Sequence, residues 1–579
     1  MSEKMRFKAI LPAFLIIVLA SILRLIWLDK IPNAIGGDEL DYILTAKAIF
    51  LTGKDVSGKL SPISLFRFKY PLGEFPKAEL PYLLVVPFVG LLNFSLLTAR
   101  LPYVFFSILI PFLIYLIAKK LLGKNIGIIA GFIAAINPWL IYIGRTSYES
   151  SPAVFFYLCG LYVLLIAQGW KIMFALPFLF FGFYSYIATK LIFLPFVFII
   201  AFYAYWYTNK RRFLPQYLLL CFFSMLLVAF FVFSQKQVPS DSRLGEILLP
   251  NAPEIAQQVD DLRRISIKTP LTNLFVNKMT IFLRIAITKF FKIFSLEYLF
   301  LYGDSFFSIW RHGLFYYLDA IFLFLGFIAL FIRHKKLFLF FLLLVILGTF
   351  PQVFHRVTTE NMAIHISLTF PFLIIFIAVG IWHFLQLVKN KYFFYTAASL
   401  IIILYVILVL NFFNIYIFQH SLQGYFDFHA RILSKYISLA QDNEQSIIIS
   451  TTRSSDLFKK YLFYTNSYNR NTATQVRQIF KEGKIELGKV KFTSCNPDID
   501  LEQKTDLVIY DVECGISPED LEYLRISRLS DGGEIYRIYN DHICSDFDLN
   551  TYPANISLSD FAVEKLSRER FCQKFVSNI

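Results

Sequence analysis

Along the first 420 positions the chain alternates long apolar runs with short polar breaks. Runs long enough to cross a bilayer, about 17–25 residues, lie near 9–28, 101–118, 125–143, 152–168, 172–188, 191–208, 213–234, 314–332, 337–354, 364–387 and 392–418. They predict eleven transmembrane helices. The first run is followed by Trp27, Leu28 and Asp29 rather than by a small-residue cleavage site, so it reads as a retained helix and not as a signal peptide. A shorter apolar stretch, 80–94, is borderline in length and reads as a helix lying in the membrane interface. Were it to span, every later break would change sides.

The pattern changes after His420. Segments 446–451, 506–510 and 534–539 are short and rich in β-branched and aromatic residues, with polar, helix-like stretches between them. That alternation predicts a small α/β domain over 421–579, behind a helical membrane domain over 1–420. The fold class is therefore mainly α, polytopic, with a C-terminal α/β domain.

Composition agrees. Hydrophobic residues make up 57% of the chain and Phe occurs 66 times, more apolar surface than a soluble domain can hide. The net charge of +15 would suggest nucleic acid in a soluble protein. Its distribution excludes that: residues 421–579 hold 19 Lys+Arg against 23 Asp+Glu, so the excess belongs to the membrane part. There it is concentrated in alternate breaks: Lys4, Arg6 and Lys8; Lys119, Lys120 and Lys124; Lys171; Lys210, Arg211 and Arg212; Arg333, Lys335 and Lys336; Lys389 and Lys391. Short basic connections face the cytoplasm. The N-terminus is then inside, and two long loops, 29–100 and 235–313, lie outside with the C-terminal domain. Four cysteines in that domain, Cys495, Cys514, Cys544 and Cys572, predict two disulfides on an oxidising side. Cys159 and Cys221 fall in spans and read as core residues.

Ionisable residues collect at the predicted outer ends of the helices: Asp38, Glu39 and Asp41; Lys77 and Glu79; Arg145 and Glu149; Lys190; Asp304, Arg311 and His312; His355, Arg356, Glu360 and His365. Taken singly, each has a plain reading as a solvated loop charge or an interfacial anchor. At one common depth, where an unpaired charge is costly, they predict a shared polar cavity. A carboxylate pair supplies a general base and an orienting group. Several cations hold a phosphate and stabilise its charge as it departs. That chemistry suits transfer of a group from a phosphate to a hydroxyl or amine.

The same residues carry a resemblance. Residues 37–55 read GDELDYILTAKAIFLTGKD, and 75–102 read FPKAELPYLLVVPFVGLLNFSLLTARLP. Later come Asn137-Pro138-Trp139, Arg145-Thr-x-x-Glu149, Tyr186-x-x-x-Lys190, and Leu299-Phe-x-x-Gly303-Asp304 followed by Arg311-His312. In this order the motifs resemble bacterial phospholipid-carrier-dependent glycosyltransferases of the protein O-mannosyltransferase and aminoarabinose-transferase type, with the GT-C fold, over about residues 1–430. The resemblance implies an inverting glycosyltransferase that takes a sugar from a polyprenyl-phosphate donor and passes it to a lipid, protein or glycan acceptor on the outer face of the cell membrane. It implies Asp38 as base with Glu39 assisting, and Lys77, Arg145, Lys190, His312 and His365 as the donor-phosphate set. It leaves open a divalent metal beside Asp38, with no legible ligand set. Two positions depart from the family pattern: Ala78-Glu79 stands where Pro-Pro is usual, and His365 stands where an Arg is expected. A transporter or flippase of lipid-linked sugars, and an inactive homologue acting in binding or assembly, remain as alternatives. Neither the sugar nor the acceptor is legible.

Overall fold

The structure is a computed structural model, and it describes residues 3–56, 58, 78–92, 94–206, 211–236, 253–309, 311–355, 362–423, 427–495, 506–515, 521–549 and 555–578. Lys77, Arg356 and Glu360 lie outside the described residues.

In chain order the helices of the apolar part begin with α1 (Glu3–Leu25), α2 (Gly37–Thr52), α3 (Glu79–Leu91), α4 (Leu96–Leu122), α5 (Lys124–Ile136), α6 (Pro138–Ile143), α7 (Ser150–Ile166), α8 (Ala175–Ser185), α9 (Ile187–Lys190), α10 (Phe193–Trp206) and α11 (Leu214–Lys236). They continue with α12 (Pro253–Ile265), α13 (Pro270–Phe275), α14 (Lys278–Ile293), α15 (Tyr317–Arg333), α16 (Lys335–Val353), α17 (Phe370–Leu387) and α18 (Lys391–Asn414). Each of the eleven apolar runs is helical. Among the described residues five helices are long and apolar enough to cross a membrane by themselves, and shorter apolar helices pack beside them. The chain is a multi-pass membrane protein. The run at 125–143 is broken at Asn137-Pro138: proline has no N–H to continue the ladder, and the Asn137 side chain caps α6 by accepting from the Leu140 N–H at 2.9 Å. The 13-residue α3 measures about 20 Å, short of the roughly 30 Å of bilayer hydrocarbon.

Close packing of the helices uses small residues where backbones meet. Gly326 of α15 and Gly380 of α17 face each other so tightly that a Cβ on either would lie 1.9 Å from a carbonyl oxygen of the other helix. Beside them Phe327 stacks on Phe376 with centroids 4.1 Å apart. With lipid outside, such fit and not water exclusion draws helices together.

The C-terminal part carries α19 (Phe428–Ala440), α20 (Ser454–Tyr464), α21 (Ala473–Glu482) and α22 (Arg568–Phe575) around six strands: β1 (Ser446–Ser450), β2 (Ile485–Leu487), β3 (Val490–Thr493), β4 (Asp506–Asp511), β5 (Leu524–Ser527) and β6 (Glu534–Tyr539). The sheet order is β2-β3-β1-β4-β6-β5. β1 is central and parallel to both β3 and β4, and the remaining pairs are antiparallel. Two disulfides form, Cys495–Cys514 and Cys544–Cys572. One apolar core continues from the helices into this domain. Phe94 meets Phe463 edge-on at 4.6 Å, and Arg431 of α19 donates to the Asn33 carbonyl. The C-terminal domain thus sits on the first long loop.

Candidate active site

The first long loop is held from below by two arginines, Arg100 and Arg145, and a third, Arg24, ties the end of α1 to α4 and α5. A helix leaves its last four carbonyls unpaired, and α1 ends beneath a loop with little regular structure before α2. Arg145, in the turn before α7, donates from Nη1 to the Leu23 and Arg24 carbonyls (3.2 and 3.1 Å), from Nη2 to the Ile31 carbonyl (2.9 Å), and from Nε to the Tyr416 hydroxyl (3.3 Å). Arg100 of α4 donates to the carbonyls of Leu28, Pro32 and Ala34 at 3.3, 2.7 and 2.6 Å. Arg24 bonds the Ser107 hydroxyl and the Ala135 carbonyl at 2.8 and 3.0 Å. All three are fully buried. The resemblance implied a donor phosphate on Arg145. Its guanidinium is instead engaged in four hydrogen bonds inside the protein and presents no surface to a ligand, so it acts as a brace for the loop.

Asp38 and Glu39 are neighbours in sequence and opposite in circumstance. Glu39 is fully buried. One carboxylate oxygen accepts from the Gly36 N–H at 2.9 Å, and the other accepts from the Ser147 N–H, joining α2 to the turn before α7. Burial pushes its carboxyl upward, while the charge of Arg100 and the two N–H bonds work the other way. Asp38 is exposed in the first turn of α2. The charges of Glu39, Asp38 and Glu149 all bear on the Tyr148 hydroxyl, which burial pushes well above the usual range. Glu149 and Asp38 act likewise on Tyr42, whose hydroxyl accepts from the Ala78 N–H at 3.2 Å. Tyr148 lies over Gly36, where a Cβ would stand 2.5 Å from its hydroxyl, so the approach requires glycine. Near Glu149, the hydroxyls of Tyr103, Ser150 and Ser151 are buried with no hydrogen-bond partner among the described residues. This corner holds acids, aromatic faces and unused hydroxyls together. Asp41, the third acid of the segment, is bound to Lys459 of α20 at 3.1 Å.

The basic residues gather elsewhere. Lys190, at the end of α9, sits among aromatic faces, 4.3 Å from the Phe231 centroid and 5.4 Å from those of Phe183 and Tyr184. Tyr186, which opens the same turn, stacks on His365 at 6.4 Å, and His365 packs on His355 at 4.6 Å. His365 Nδ1 is hydrogen-bonded to Gln352 Oε1 at 2.8 Å. Lys289 of α14 donates to the His355 carbonyl; burial pushes its ammonium down to about 8. His312 does not join them. It is buried against Phe412 and Tyr316 and donates from Nδ1 to the Gly313 carbonyl at 2.7 Å. Burial lowers its pKa, which favours the neutral ring and disfavours a phosphate partner.

The second long loop connects the two groups. Asp304 accepts from the N–H groups of Phe306 and Phe307 with one oxygen and from the Ala363 N–H with the other, so it fixes the turn that carries His365. Trp139 donates to the Phe307 carbonyl at 3.0 Å and Asn137 to the Leu314 carbonyl at 3.1 Å. Phe307 then meets Tyr148 at 5.2 Å. The Asn-Pro-Trp and Gly-Asp motifs are therefore the fastenings of this loop.

The sequence points to Arg100 only as part of the Arg100-Leu101-Pro102 motif, with no role, and does not single out Arg24, Tyr103 or Tyr148. An arginine inside an apolar run, as at Arg24, is a readable signal because its burial is costly; the tyrosines carry none of that kind. Among the described residues no three or more His, Cys, Asp or Glu side chains group as metal ligands.

No family model and no curated protein matches the sequence. Among solved structures, the chain is similar to ArnT from Cupriavidus metallidurans bound to undecaprenyl phosphate, at 12% identity over 91% of this chain and 98% of that one, with a TM-score of 0.49. It is also similar to the archaeal oligosaccharyltransferase AglB from Archaeoglobus fulgidus, in complex with an inhibitory peptide and a dolichol-phosphate, at 12% identity over 97% of this chain and 78% of that one, with a TM-score of 0.45.

Proposed function

We propose that this chain is an inverting glycosyltransferase that moves a sugar from a polyprenyl-phosphate donor to a lipid, protein or glycan acceptor on the outer face of the cell membrane. The observation that carries the reading is the exposed carboxylate of Asp38 on the first turn of α2, whose charge reaches the Tyr42 and Tyr148 hydroxyls together with that of Glu149, the acid that follows Tyr148 and precedes the buried, unpartnered hydroxyls of Ser150 and Ser151. Hydroxyls in that state match the many hydroxyls of a sugar. The N-terminus is cytoplasmic in this proposal. The membrane domain covers 1–420, and the domain over 421–579 is extracytoplasmic with both long loops.

Asp38 takes the proton of the acceptor hydroxyl or amine. The acceptor atom forms a bond to the anomeric carbon from the face opposite the phosphate, and the anomeric C–O bond breaks with its electron pair going to the phosphate oxygen. Configuration inverts because there is one displacement. Glu39 positions Asp38: its carboxylate holds the Gly36 and Ser147 amides and so fixes the start of α2. Lys77, Lys190 and His365 balance charge on the departing phosphate, and Arg145 and His312 maintain the two loops.

The test is transfer from a radiolabelled polyprenyl-phosphate sugar by reconstituted protein. Asp38→Asn should lower transfer by about 10²–10⁴-fold with donor binding retained. Full turnover by that variant sinks the base assignment. Vectorial movement of the donor without transfer indicates a flippase, and binding with neither indicates an inactive homologue.

A further inference from the structure

Residues 262–296, in the second long loop, contain Arg263, Arg264, Lys268, Lys278, Arg284, Lys289 and Lys292 and no acidic residue. On the proposed outer side such a stretch runs against the charge bias of membrane proteins, whose basic residues accumulate on the cytoplasmic side. It is apolar as well as basic, and the structure separates the two properties by face.

In α14 the residues four apart form rows. Ile281, Lys289 and Ile293 are buried, and Ile281 forms a small apolar contact with Ile255 and Val259 of α12. Lys289 reaches the His355 carbonyl, so the inner row is fastened to the end of α16. The opposite row, Met279, Leu283, Ile287 and Phe291, is 43–67% exposed. Arg284, Thr288 and Lys292 make an exposed row alongside it. The preceding short helix, α13, adds Leu271, Leu274 and Phe275, each 58–65% exposed. An apolar row beside a basic row is the pattern of a helix lying in the plane of a membrane surface, its apolar side among acyl chains and its cations level with the headgroups.

We propose that α13 and α14 form a docking surface for anionic phospholipid headgroups of the bilayer. Charge complementarity selects this occupant. In a two-fold contact with a second copy, the same basic rows would face each other and repel. A bilayer offers apolar chains and negative phosphates in the layered order that α14 presents. The surface is distinct from the Asp38 corner and joins the site through the Lys289–His355 hydrogen bond and the stacking of Phe282 on Phe354, so anionic lipid would steady the turn carrying the His355–His365 pair.

The test is hydrogen exchange of the amides of 271–292 in the full chain, in nanodiscs holding one copy each. Discs of phosphatidylcholine alone are compared with discs in which a third of the lipid is phosphatidylglycerol. Exchange should slow by roughly tenfold in the anionic discs. Arg284→Gln with Lys292→Gln should remove the difference, and high salt should weaken it. Both positions are exposed, so the variant keeps its fold, and an unchanged thermal midpoint in detergent checks that. Equal exchange of the wild-type chain in both lipids overturns the proposal. Protection that appears only with two copies per disc, in either lipid, overturns it in favour of self-association.

Discussion

The arginines under the first long loop and the ion pairs at the rim of the C-terminal sheet both remove charge from water, by different means. Arg24, Arg100 and Arg145 are bound to backbone carbonyls and hydroxyls and carry their charge into the core. At the rim, charge cancels charge. Asp427 accepts from Lys460 and from Arg453 (3.0 Å), Lys460 also holds Asp456 at 2.7 Å, and Arg453 lies 3.8 Å from Glu513. The rim stands at the carboxyl ends of β1 and β4, where parallel sheets commonly open to ligands. Here Thr451 donates to Asp511 at 2.7 Å, and the Cys495–Cys514 disulfide joins the segments after β3 and β4 across β1. The crevice is closed by its own side chains. Around the first loop the cations fix backbone, and Asp38 is left facing solvent. Similar residue types build a closed joint in one place and leave a carboxylate exposed in the other.

The largest effect that could break this contrast is at Arg145. Replacing it with Met removes four hydrogen bonds and strands three buried carbonyls and a tyrosine hydroxyl. Each unsatisfied group costs about 1–3 kcal/mol, so a total near 4 kcal/mol or more is expected. The readout is the thermal midpoint of the purified protein in detergent. Arg145→Lys should rescue little, because an ammonium lacks the planar fork that reaches Leu23, Arg24 and Ile31 together. If Arg145→Met keeps wild-type stability and loses donor binding, the residue is a phosphate holder after all and the contrast fails.

The rim should reveal itself by pH. His429, in the first turn of α19, is buried, and burial pushes its pKa down to about 4 although the Asp427 charge opposes this. An unfolded histidine titrates near 6.5. Between those values the unfolded chain binds more protons than the folded one, so stability rises with pH across the window and is lost as pH falls from about 6.5 to 4. The loss approaches about 3 kcal/mol at the lower end, read as faster exchange of the α19 amides. His429→Gln should flatten that slope. At Asp427 burial works to raise the pKa, and Lys460 and Arg453 overcome it and hold the carboxyl low. Its stabilisation is therefore present above about pH 4 and disappears only below it. Loss of both the upper and the lower transition in His429→Gln would mean that the rim does not titrate as two groups.

A smaller effect is expected from Lys460→Met. Asp427 keeps Arg453, and Asp456 is more than a third exposed, so about 2 kcal/mol is the expected loss. Transfer activity should stay within a few-fold of wild type if the rim is a joint. A collapse of activity at unchanged stability would make the rim part of the site.

Legibility in the sequence follows from range. The eleven apolar runs declare themselves because a span needs only its own composition. β1, β4 and β6 are readable as β-branched runs, whereas β2, β3 and β5 are three or four residues long, interleave charge, as in Ile485-Glu486-Leu487, and become strands only through their partners. The charge pattern of the breaks predicts a common depth for the acids and bases. It does not predict which of them is buried. Locally Glu39 differs from Asp38 in standing three residues after Gly36, whose N–H it caps, but its enclosure is completed by the Ser147 amide more than a hundred positions away. Arg145 and His312 carry the look of ligands for the same reason, and their partners come from residues more than a hundred positions away or from the buried turn itself.

The finest test concerns Asp41, three residues from Asp38 and identical in chemistry. Its partner Lys459 belongs to α20, so this pair is where the two regions touch through charge. Both side chains keep partial access to solvent, at 14% and 17%. A double-mutant cycle of Asp41→Asn and Lys459→Met should therefore give a coupling of about 0.5–1 kcal/mol and no more. Asp41→Asn should leave transfer within a few-fold of wild type, while Asp38→Asn removes it. If the two aspartates were interchangeable in their effect on transfer, the reactive carboxylate would be a property of the acidic segment as a whole. If only Asp38 matters, then what selects it is its place on the first turn of α2, with Glu39 anchored beneath it and Asp41 occupied by the neighbouring domain.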